Sequence, residues 1–396
     1  MFFEIERAEH LLREIKNSIK MNEIRLENIM ISEGREKTGD YRKFSKGELW
    51  GGSDAWCWFK MEVDIPKELL GKNLAFSLKT GREGNWDALN PQFILYVNDE
   101  LTCGMDVNHT EVILGEVSKP VTLELHAYSG TAVPGESHSV TDGTAPKRLE
   151  FMASIFENNS EIERLYYNLK PVIDTAKLYD KNDNIRIELQ KHISTAINLL
   201  DLRIAGSLDF FISAAKVNEY MENEFYGKVC GHDDVIANCV GHTHIDVAWL
   251  WTLDQTKQKV IRSFSTVLKL MDEFPDYIFM SSQPQLYQYL KENAPEVYEK
   301  VKARVKEGRW DPEGGMWVEA DCNLTSGESL VRQIIHGKKF FKDEFDKENK
   351  ILWLPDVFGY SAALPQILKK SNIDYFVTSK ISWNEYNHMP YDTFSW

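Results

Sequence analysis

The chain has 396 residues, 43% hydrophobic and 27% charged, so it can bury a sizeable core, and its length suggests two or three domains. It carries 46 Lys and Arg against 61 Asp and Glu, and the net charge of -15 argues against nucleic acid or an anionic membrane as its partner. The first residues become charged at once, and no segment approaches the roughly 18 apolar residues of a membrane span. We therefore expect a cytoplasmic protein that binds a neutral or cationic substrate.

The cysteines give the same indication about location. There are 5 of them, scattered along the chain and without a CxxC pair. This pattern predicts neither a disulfide framework nor a zinc–thiolate site, and it is typical of a reducing compartment.

The first 156 residues predict a helix followed by a β-sandwich domain. Residues 1 to about 30 are expected to be helical. From about residue 45 onward the sequence consists of short apolar or alternating runs that are separated by Gly, Asn, Asp and Pro. The predicted strands are WCWFKMEVDI, LAFSLKTG, QFILYVND, VTLELHAYS and LEFMASIF. Asp106, Asn108 and His109 follow one of these runs, and a polar turn explains them better than a ligand site because no second cluster lies nearby in sequence.

Residues 157–230 predict a helical connector, with apolar residues in two stripes at helical spacing. Pro171 is expected to kink or interrupt the first of its helices.

Residues 231–396 alternate strictly between strand and helix patterns, which predicts a parallel sheet in a barrel or an open doubly wound form. The predicted strands are VIANCV, YIFMSS, GMWVEA, ILWLPDV and DYFVTSK. The first two predicted helices cover about 254–274 and 284–306, and Gly308 is the expected C-cap of the second. A third helix begins at a capping box, TSGE (Thr325 to Glu328), and runs to about 345, and the fourth is SAALPQILKK.

Polar side chains follow all five predicted strands, at the end where parallel α/β folds carry their chemistry. In chain order they are His242, His244 and Asp246, then Gln283, then Glu319 and Asp321, then Asp356, then Lys380. Loop composition alone would scatter such groups, so their convergence on one rim is the strongest functional signal in the sequence.

The first and fourth strand ends predict a metal site. Alternate residues of an extended segment point the same way, so His244 and Asp246 can face one point, and imidazole nitrogen with carboxylate oxygen suits Zn²⁺. Asp356 could supply a third oxygen, or it could cap the following helix. His242 fits a structural or supporting histidine, and Trp249 fits either the core or the floor of a pocket beside the metal.

Five segments of this region resemble glycoside hydrolase family 38, the α-mannosidases, in the cytosolic and bacterial branch. They are GHTHIDVAWLW, SSQPQLYQYL, GGMWVEADCNLTSGESLVRQ, WLPDVFGYSAALPQIL and TSKISWNEYN, spread over residues 241–387. The β-rich segment, with GELWGGSDAWCWFK and NPQFILYVND, also resembles the ancillary domain that precedes the catalytic domain in that branch. The order and spacing of these blocks make the resemblance specific, and it covers most of the chain.

The resemblance implies a role for each matching position. The family's metal pair falls on His244 and Asp246, its metal-binding nucleophile on Asp356, its stacking tryptophan on Trp249, and a sugar-contacting cation on Lys380, where other branches carry arginine. The family fold is a seven-stranded (β/α) barrel, and its metal is usually Zn²⁺ and sometimes Co²⁺. Its fourth ligand, a histidine, and its acid/base aspartate lie further along than residue 396, so we expect an incomplete barrel that either self-associates or stays open.

The resemblance therefore predicts a multi-domain, metal-dependent retaining glycosidase that hydrolyses terminal α-mannosyl residues of oligosaccharides. Residues 1–156 would form the N-terminal helix and ancillary sandwich, 157–230 the connector and 231–396 the first part of the catalytic barrel. Two alternatives stay open. The pair His242 and His244 could open a metal-dependent amidohydrolase site, although the ends of strands two to four carry no further histidine. The chain could also bind carbohydrate without turnover.

Overall fold

The computed structural model describes residues 3–131, 147–230 and 236–396. Its first part is a helix followed by ten strands. These are α1 (Glu4–Asn17), β1 (Lys20–Arg25), β2 (Ile29–Glu33), β3 (Arg42–Lys43), β4 (Trp56–Val63), β5 (Asn73–Lys79), β6 (Gln92–Val97), β7 (Glu100–Asp106), β8 (Glu111–Glu116), β9 (Val121–Tyr128) and β10 (Met152–Asn158).

The ten strands form two antiparallel sheets that share one core, as a sandwich does. One sheet has the order β1-β10-β5-β8 and the other β3-β2-β4-β9-β6-β7. Their inner faces meet in a single apolar cluster, within which the rings of Phe59 and Phe151 stack at 3.8 Å. All five strands predicted from apolar runs are present, and β7 and β8 lie between two of them without having been predicted.

The prediction of one helix up to about residue 30 was wrong. The helix ends at Asn17, and the next residues form β1 and β2. Ile29 and Ile31 are buried in the sandwich core, and β1 pairs with β10. Pairing with strands distant in sequence therefore overrides the local helical pattern.

The connector region contains three helices, α2 (Ser160–Leu178), α3 (Asn184–Leu199) and α4 (Leu208–Tyr220), followed by a turn of π-helix at Met221–Tyr226. The α1 helix packs with them, so Ile15 shares a core with Ile162, Ile193 and Phe210. The α2 helix continues through Pro171 without interruption.

Residues 236–396 form an α/β region. Its elements are β11 (Gly241–His242), α5 (Leu253–Glu273), β12 (Phe279–Ser281), α6 (Pro284–Asn293), α7 (Pro295–Lys306), β13 (Trp310–Pro312), α8 (Gly327–Phe345), β14 (Ile351–Trp353), α9 (Leu364–Lys370) and β15 (Tyr375–Val377). All strand pairs are parallel, as predicted, but they form one sheet of β11-β12-β13 and another of β14-β15. Within residues 236–396 these strands do not close into a barrel, so the barrel stays a prediction.

Two predicted strands of this region are wrong. Residue 235, the start of VIANCV, lies outside the described residues, and 236–240 are exposed and form no strand, with Ile236 81% exposed. The strand expected at GMWVEA (315–320) is instead Trp310–Pro312, and Gly314, just before the predicted segment, makes a single bridge to Leu352.

Two predicted helices begin or run differently from expectation. The helix over 284–306 is broken at Ala294, because Pro295 has no N–H to donate and disfavours a helical residue before it. The N-cap of α8 is Ser326 rather than Thr325, and its hydroxyl accepts from the amide of Ser329. Gly308 follows α7 with a φ of 78°, as expected for a C-cap glycine.

The sandwich and the α/β region meet where β7 packs against α5. A Cβ added at Gly104 would lie 2.6 Å from the Cβ of Arg262, so only glycine allows this approach of strand and helix. The amide of Gly104 also donates to Thr266 Oγ1 at 3.1 Å, and the Gln255 amide donates to Asp54 at 3.2 Å across the same junction. These contacts fix α5, and the loop that leads into it, against the sandwich.

Two further findings concern the sequence predictions. Among the described residues, no helix combines the length and apolarity that crossing a membrane requires. All five cysteines are free thiols.

Candidate metal centre

Three predicted ligands lie together at the strand ends. His244 and Asp246 follow β11 and Asp356 follows β14, and one ligand atom from each lies within 4.8 Å of the others. The Nε2 atom of His244 is 3.2 Å from Asp246 Oδ1 and 3.4 Å from Asp356 Oδ2. The sequence expectation that these side chains face one point is therefore met.

A third carboxylate approaches the other side of the histidine ring. Glu319 Oε2 lies 2.9 Å from His244 Nδ1, and the Glu319 side chain is only 4% exposed. The ring N–H is not aimed straight at this oxygen, so the contact is an ion pair rather than a well-formed hydrogen bond. Burial alone would lower the pKa of His244, but the hydrogen bond to Asp246 and the Glu319 carboxylate outweigh it and raise that pKa to about 10.

Neighbouring groups hold Glu319 in place. Ser282 Oγ donates to Glu319 Oε1 at 3.0 Å, and the backbone amide of Glu319 donates to Gln283 Oε1 at 3.1 Å. The Gln283 amide nitrogen in turn donates to the carbonyl of Ile245 at 2.9 Å. Gln283 has a φ of 65°, which is unusual for a residue other than glycine, so its backbone is strained in order to tie the segment of Glu319 to the segment of the ligands.

Lys380 lies against the carboxylate of Asp356. Its Nζ is 2.5 Å from Asp356 Oδ1, and it lies 3.4 Å from the ring centroid of Trp383. The two oxygens of Asp356 therefore have different partners, since Oδ2 faces His244 and Oδ1 faces the ammonium. Lys380 is consequently not a solvated strand end.

His242 has no lone pair left for a metal. Its Nδ1–H donates to the carbonyl of Met280 at 3.0 Å, and its Nε2 accepts from the indole N–H of Trp353 at 3.1 Å. Burial lowers the pKa of this imidazole, which fits the neutral form that both contacts require. The paired-histidine metal site of an amidohydrolase is therefore disfavoured, and the expectation of a structural histidine fits.

Asp321 does not reach the cluster. Its Oδ1 accepts from the backbone amides of Asn323 at 2.8 Å and Leu324 at 2.6 Å, so it holds a local turn ahead of α8. Of the polar residues singled out at the strand ends, it is the one that the structure assigns to loop geometry.

Trp249 lies beside the cluster and is 55% exposed. Its ring centroid is 5.6 Å from that of Trp251 and 5.4 Å from that of Trp86, a residue of the sandwich. The ring of Trp249 is thus accessible to a ligand rather than buried in the core. Sequence reasoning did not find Trp86, Ser282 or Trp383, since a lone tryptophan or serine in a loop carries no signal of its spatial neighbours.

The three ligands fit a small divalent cation. Two ligands at roughly 2.1 Å from a tetrahedral Zn²⁺ are about 3.4 Å apart. The separations of 3.2 and 3.4 Å from His244 Nε2 already match this value, and a pair at the limit of 4.8 Å would have to approach by about 1.4 Å. The Glu319 carboxylate behind Nδ1 of His244 matches the arrangement that orients metal-binding histidines. Three carboxylates around one histidine and one lysine leave an excess of negative charge that a cation would neutralise.

The fold and this cluster together define an α/β protein with a carboxylate-rich candidate metal site at the carboxyl ends of parallel strands. Residues 234–396 match the family model described as glycosyl hydrolases family 38 N-terminal domain.

Similarity to individual proteins extends over the sandwich as well. The chain is 33% identical over 377 residues to alpha-mannosidase G of Dictyostelium discoideum, covering 90% of this chain and 32% of that protein. It is 32% identical over 362 residues to alpha-mannosidase 2C1 of Homo sapiens, covering 90% of this chain and 34% of that protein. The chain thus spans about a third of the length of these relatives.

Among solved structures, a β-glucuronidase of Ruminococcus gnavus overlaps 34% of this chain and 29% of its own, with 8% identity and a TM-score of 0.24. An overlap this small carries no weight for fold or function.

Proposed function

We propose that this chain provides the ancillary sandwich and the nucleophile side of a metal-dependent retaining α-mannosidase that cleaves terminal α-mannosyl residues from oligosaccharides. The observation that carries the proposal is the convergence of His244, Asp246 and Asp356 within 4.8 Å, in the part of the chain that matches the family 38 model. The names of the relatives, alpha-mannosidases in both cases, support the substrate class.

In this proposal Asp356 attacks the anomeric carbon of mannose. One carboxylate oxygen forms the new bond while the glycosidic bond breaks, and a second carboxyl group protonates the departing oxygen; water then releases the sugar with retention. Lys380 donates to Oδ1 of Asp356 and holds this carboxylate in position. The exposed ring of Trp249 offers a flat apolar face to a sugar ring that flattens toward the oxocarbenium-like transition state.

His244, Asp246 and Asp356 would hold the metal, proposed as Zn²⁺ with Co²⁺ as an alternative. When bound, it would supply Lewis-acid polarisation of sugar hydroxyls and orientation of the ring. The Glu319 carboxylate, 2.9 Å from Nδ1 of His244, would favour the proton on Nδ1, so that Nε2 presents its lone pair to the cation.

The seven-stranded (β/α) barrel and the cytoplasmic location are part of the same proposal. The parallel strand pairs and the alternating helices support the barrel. Free thiols at all five cysteines are compatible with a reducing compartment.

The test is covalent trapping in the full-length gene product. A mannoside with fluorine at C2 or C5 and a good leaving group slows breakdown of the intermediate, so mass spectrometry should find one sugar on the peptide containing WLPDVFGYS. Asp356→Asn should abolish the label. Asp321→Asn, a matched change in a carboxylate that only holds a turn, should leave it intact.

Three results would contradict the proposal. A label on another carboxylate would reassign the nucleophile, and a first product of inverted configuration would exclude the retaining mechanism. Binding of the mannoside with neither label nor turnover would indicate a carbohydrate-binding protein.

A further inference from the structure

A loop of the sandwich reaches the proposed sugar site. Residues 80–91 connect β5 to β6, and Trp86 in this loop is 48% exposed. Its ring meets that of Trp249 edge to face, with centroids 5.4 Å apart and planes at 65°. Two accessible indoles, one from each unit of the protein, therefore lie side by side.

The two rings border a cleft of about 460 Å³ between the sandwich and the α/β region. Among its lining residues are Trp86, Asp87, His109, His244, Trp249 and Lys259. Of the proposed metal ligands only His244 lines it, so the cleft extends away from the metal centre rather than enclosing it. A volume of this size is in the range of about 300–1,000 Å³ that small-molecule sites occupy.

The polar groups of the cleft suit a neutral, hydroxyl-rich ligand. Asp87 and Asp106 supply two carboxylates to the cleft, Lys259 and Arg262 supply two cations, and Asp106 also pairs with His109 at 2.9 Å. The Lys259 ammonium lies 4.4 Å from the ring centroid of Trp251. Hydroxyl groups both donate and accept, so this mixture of donors, acceptors and indole faces favours a saccharide.

The loop that carries Trp86 is held firmly. The Asn90 side chain donates to the carbonyl of Trp86 at 2.7 Å, and the Gln92 side chain donates to that of Asp87 at 2.6 Å. Because β7 and α5 are also packed tightly together, Trp86 has a fixed position relative to Trp249 and does not need to be ordered by the ligand.

We propose that Trp86 and this cleft bind the sugar on the leaving-group side of the scissile bond, so that the ancillary sandwich selects for oligosaccharides over simple mannosides. The inference rests on the proposed function, since it places the mannose to be cleaved between Trp249 and the metal ligands. The cleft then receives the sugar to which that mannose is linked.

The experiment compares two substrates in the full-length gene product, an α-linked mannotriose and α-mannosyl fluoride, whose leaving group is too small to reach the cleft. We expect Trp86→Ala to lower kcat/KM for mannotriose about tenfold more than for the fluoride, a difference of about 1.4 kcal/mol, because only the larger substrate loses contact with the indole face. Trp86→Phe, which keeps an aromatic face, should restore most of the loss.

Tyr167→Ala is the matched control, because this tyrosine is 60% exposed on α2, away from the cleft, and its loss should change neither constant. Equal losses on both substrates, or no loss on either, would overturn the role of Trp86 and leave the mannosidase proposal standing. Absence of turnover of the fluoride by the unmodified protein would overturn both.

Discussion

Replacing Glu319 by Gln tests whether this carboxylate supports metal binding through His244. The substitution preserves shape, and Ser282 can still donate to the side chain, but the charge 2.9 Å from His244 Nδ1 is lost. Outer partners of metal-binding histidines typically contribute about 10- to 100-fold in affinity, which is about 1.4–2.7 kcal/mol. The Glu319 side chain is 4% exposed, so water cannot replace it readily, and we expect a loss toward the upper end of this range.

The assay is the dissociation constant for Zn²⁺, measured by competition with a chromogenic chelator, and the visible spectrum of the Co²⁺ form, which reports ligand geometry independently of activity. Glu313→Gln is the matched control. This glutamate is also buried, yet its Oε1 accepts from the backbone amides of Lys350 and Ile351 and makes no contact with the ligands. Equal losses of affinity in the two variants, or no loss in Glu319→Gln, would refute the orienting role.

Three further predictions use other contacts. Lys380→Met should lower kcat/KM for mannosides about 10- to 100-fold, because a hydrogen bond to a charged partner is worth about 1.5–3 kcal/mol, and an unchanged value would exclude its role. Burial lowers the pKa of His126 from 6.5 to about 4, so the unfolded state takes up a proton at a higher pH than the folded state, and the free energy of unfolding falls as the pH drops through this interval. Compared with His126→Phe, the protein should lose up to about 3 kcal/mol more of its free energy of urea unfolding, and the same pH dependence in both proteins would contradict this. Gly104→Ala forces a methyl group to 2.6 Å from Arg262 Cβ and should lower the free energy of unfolding by about 1–3 kcal/mol, which a lower Tm would report. Gly327→Ala has open space at its Cβ and should keep the Tm of the unmodified protein, so equal Tm values for the two variants would refute the tight packing.

The grouping of the three candidate ligands could be predicted from sequence because it follows from strand order. Parallel strands bring their carboxyl ends to one edge, which predicts that His244, Asp246 and Asp356 lie together. Glu319 belonged to the same set of residues at strand ends. Its contact with Nδ1 of His244 depends on the path of the segment after β13, and the pattern of apolar residues does not predict that path.

The errors in the fold have a common cause. VIANCV is apolar enough for a strand, yet residues 236–240 have no strand partner, and apolarity alone cannot supply one. The N-terminal helix was extended too far because β1 and β2 are defined by partners far along the chain, such as β10. Proline alone was an ambiguous signal, because a helix begins at Pro295 whereas α2 runs through Pro171.

Substitutions in the loop between β5 and β6 and substitutions at the ends of the parallel strands would have different effects in the proposed enzyme. Substitutions around Trp86 would alter which glycan is accepted, while the bond-breaking groups on the parallel strands stay untouched. Substitutions at the strand ends would affect every substrate alike. A protein built in this way can acquire a new preference by exchanging the loop between β5 and β6, because that loop is braced by its own hydrogen bonds and does not depend on the metal ligands for its shape.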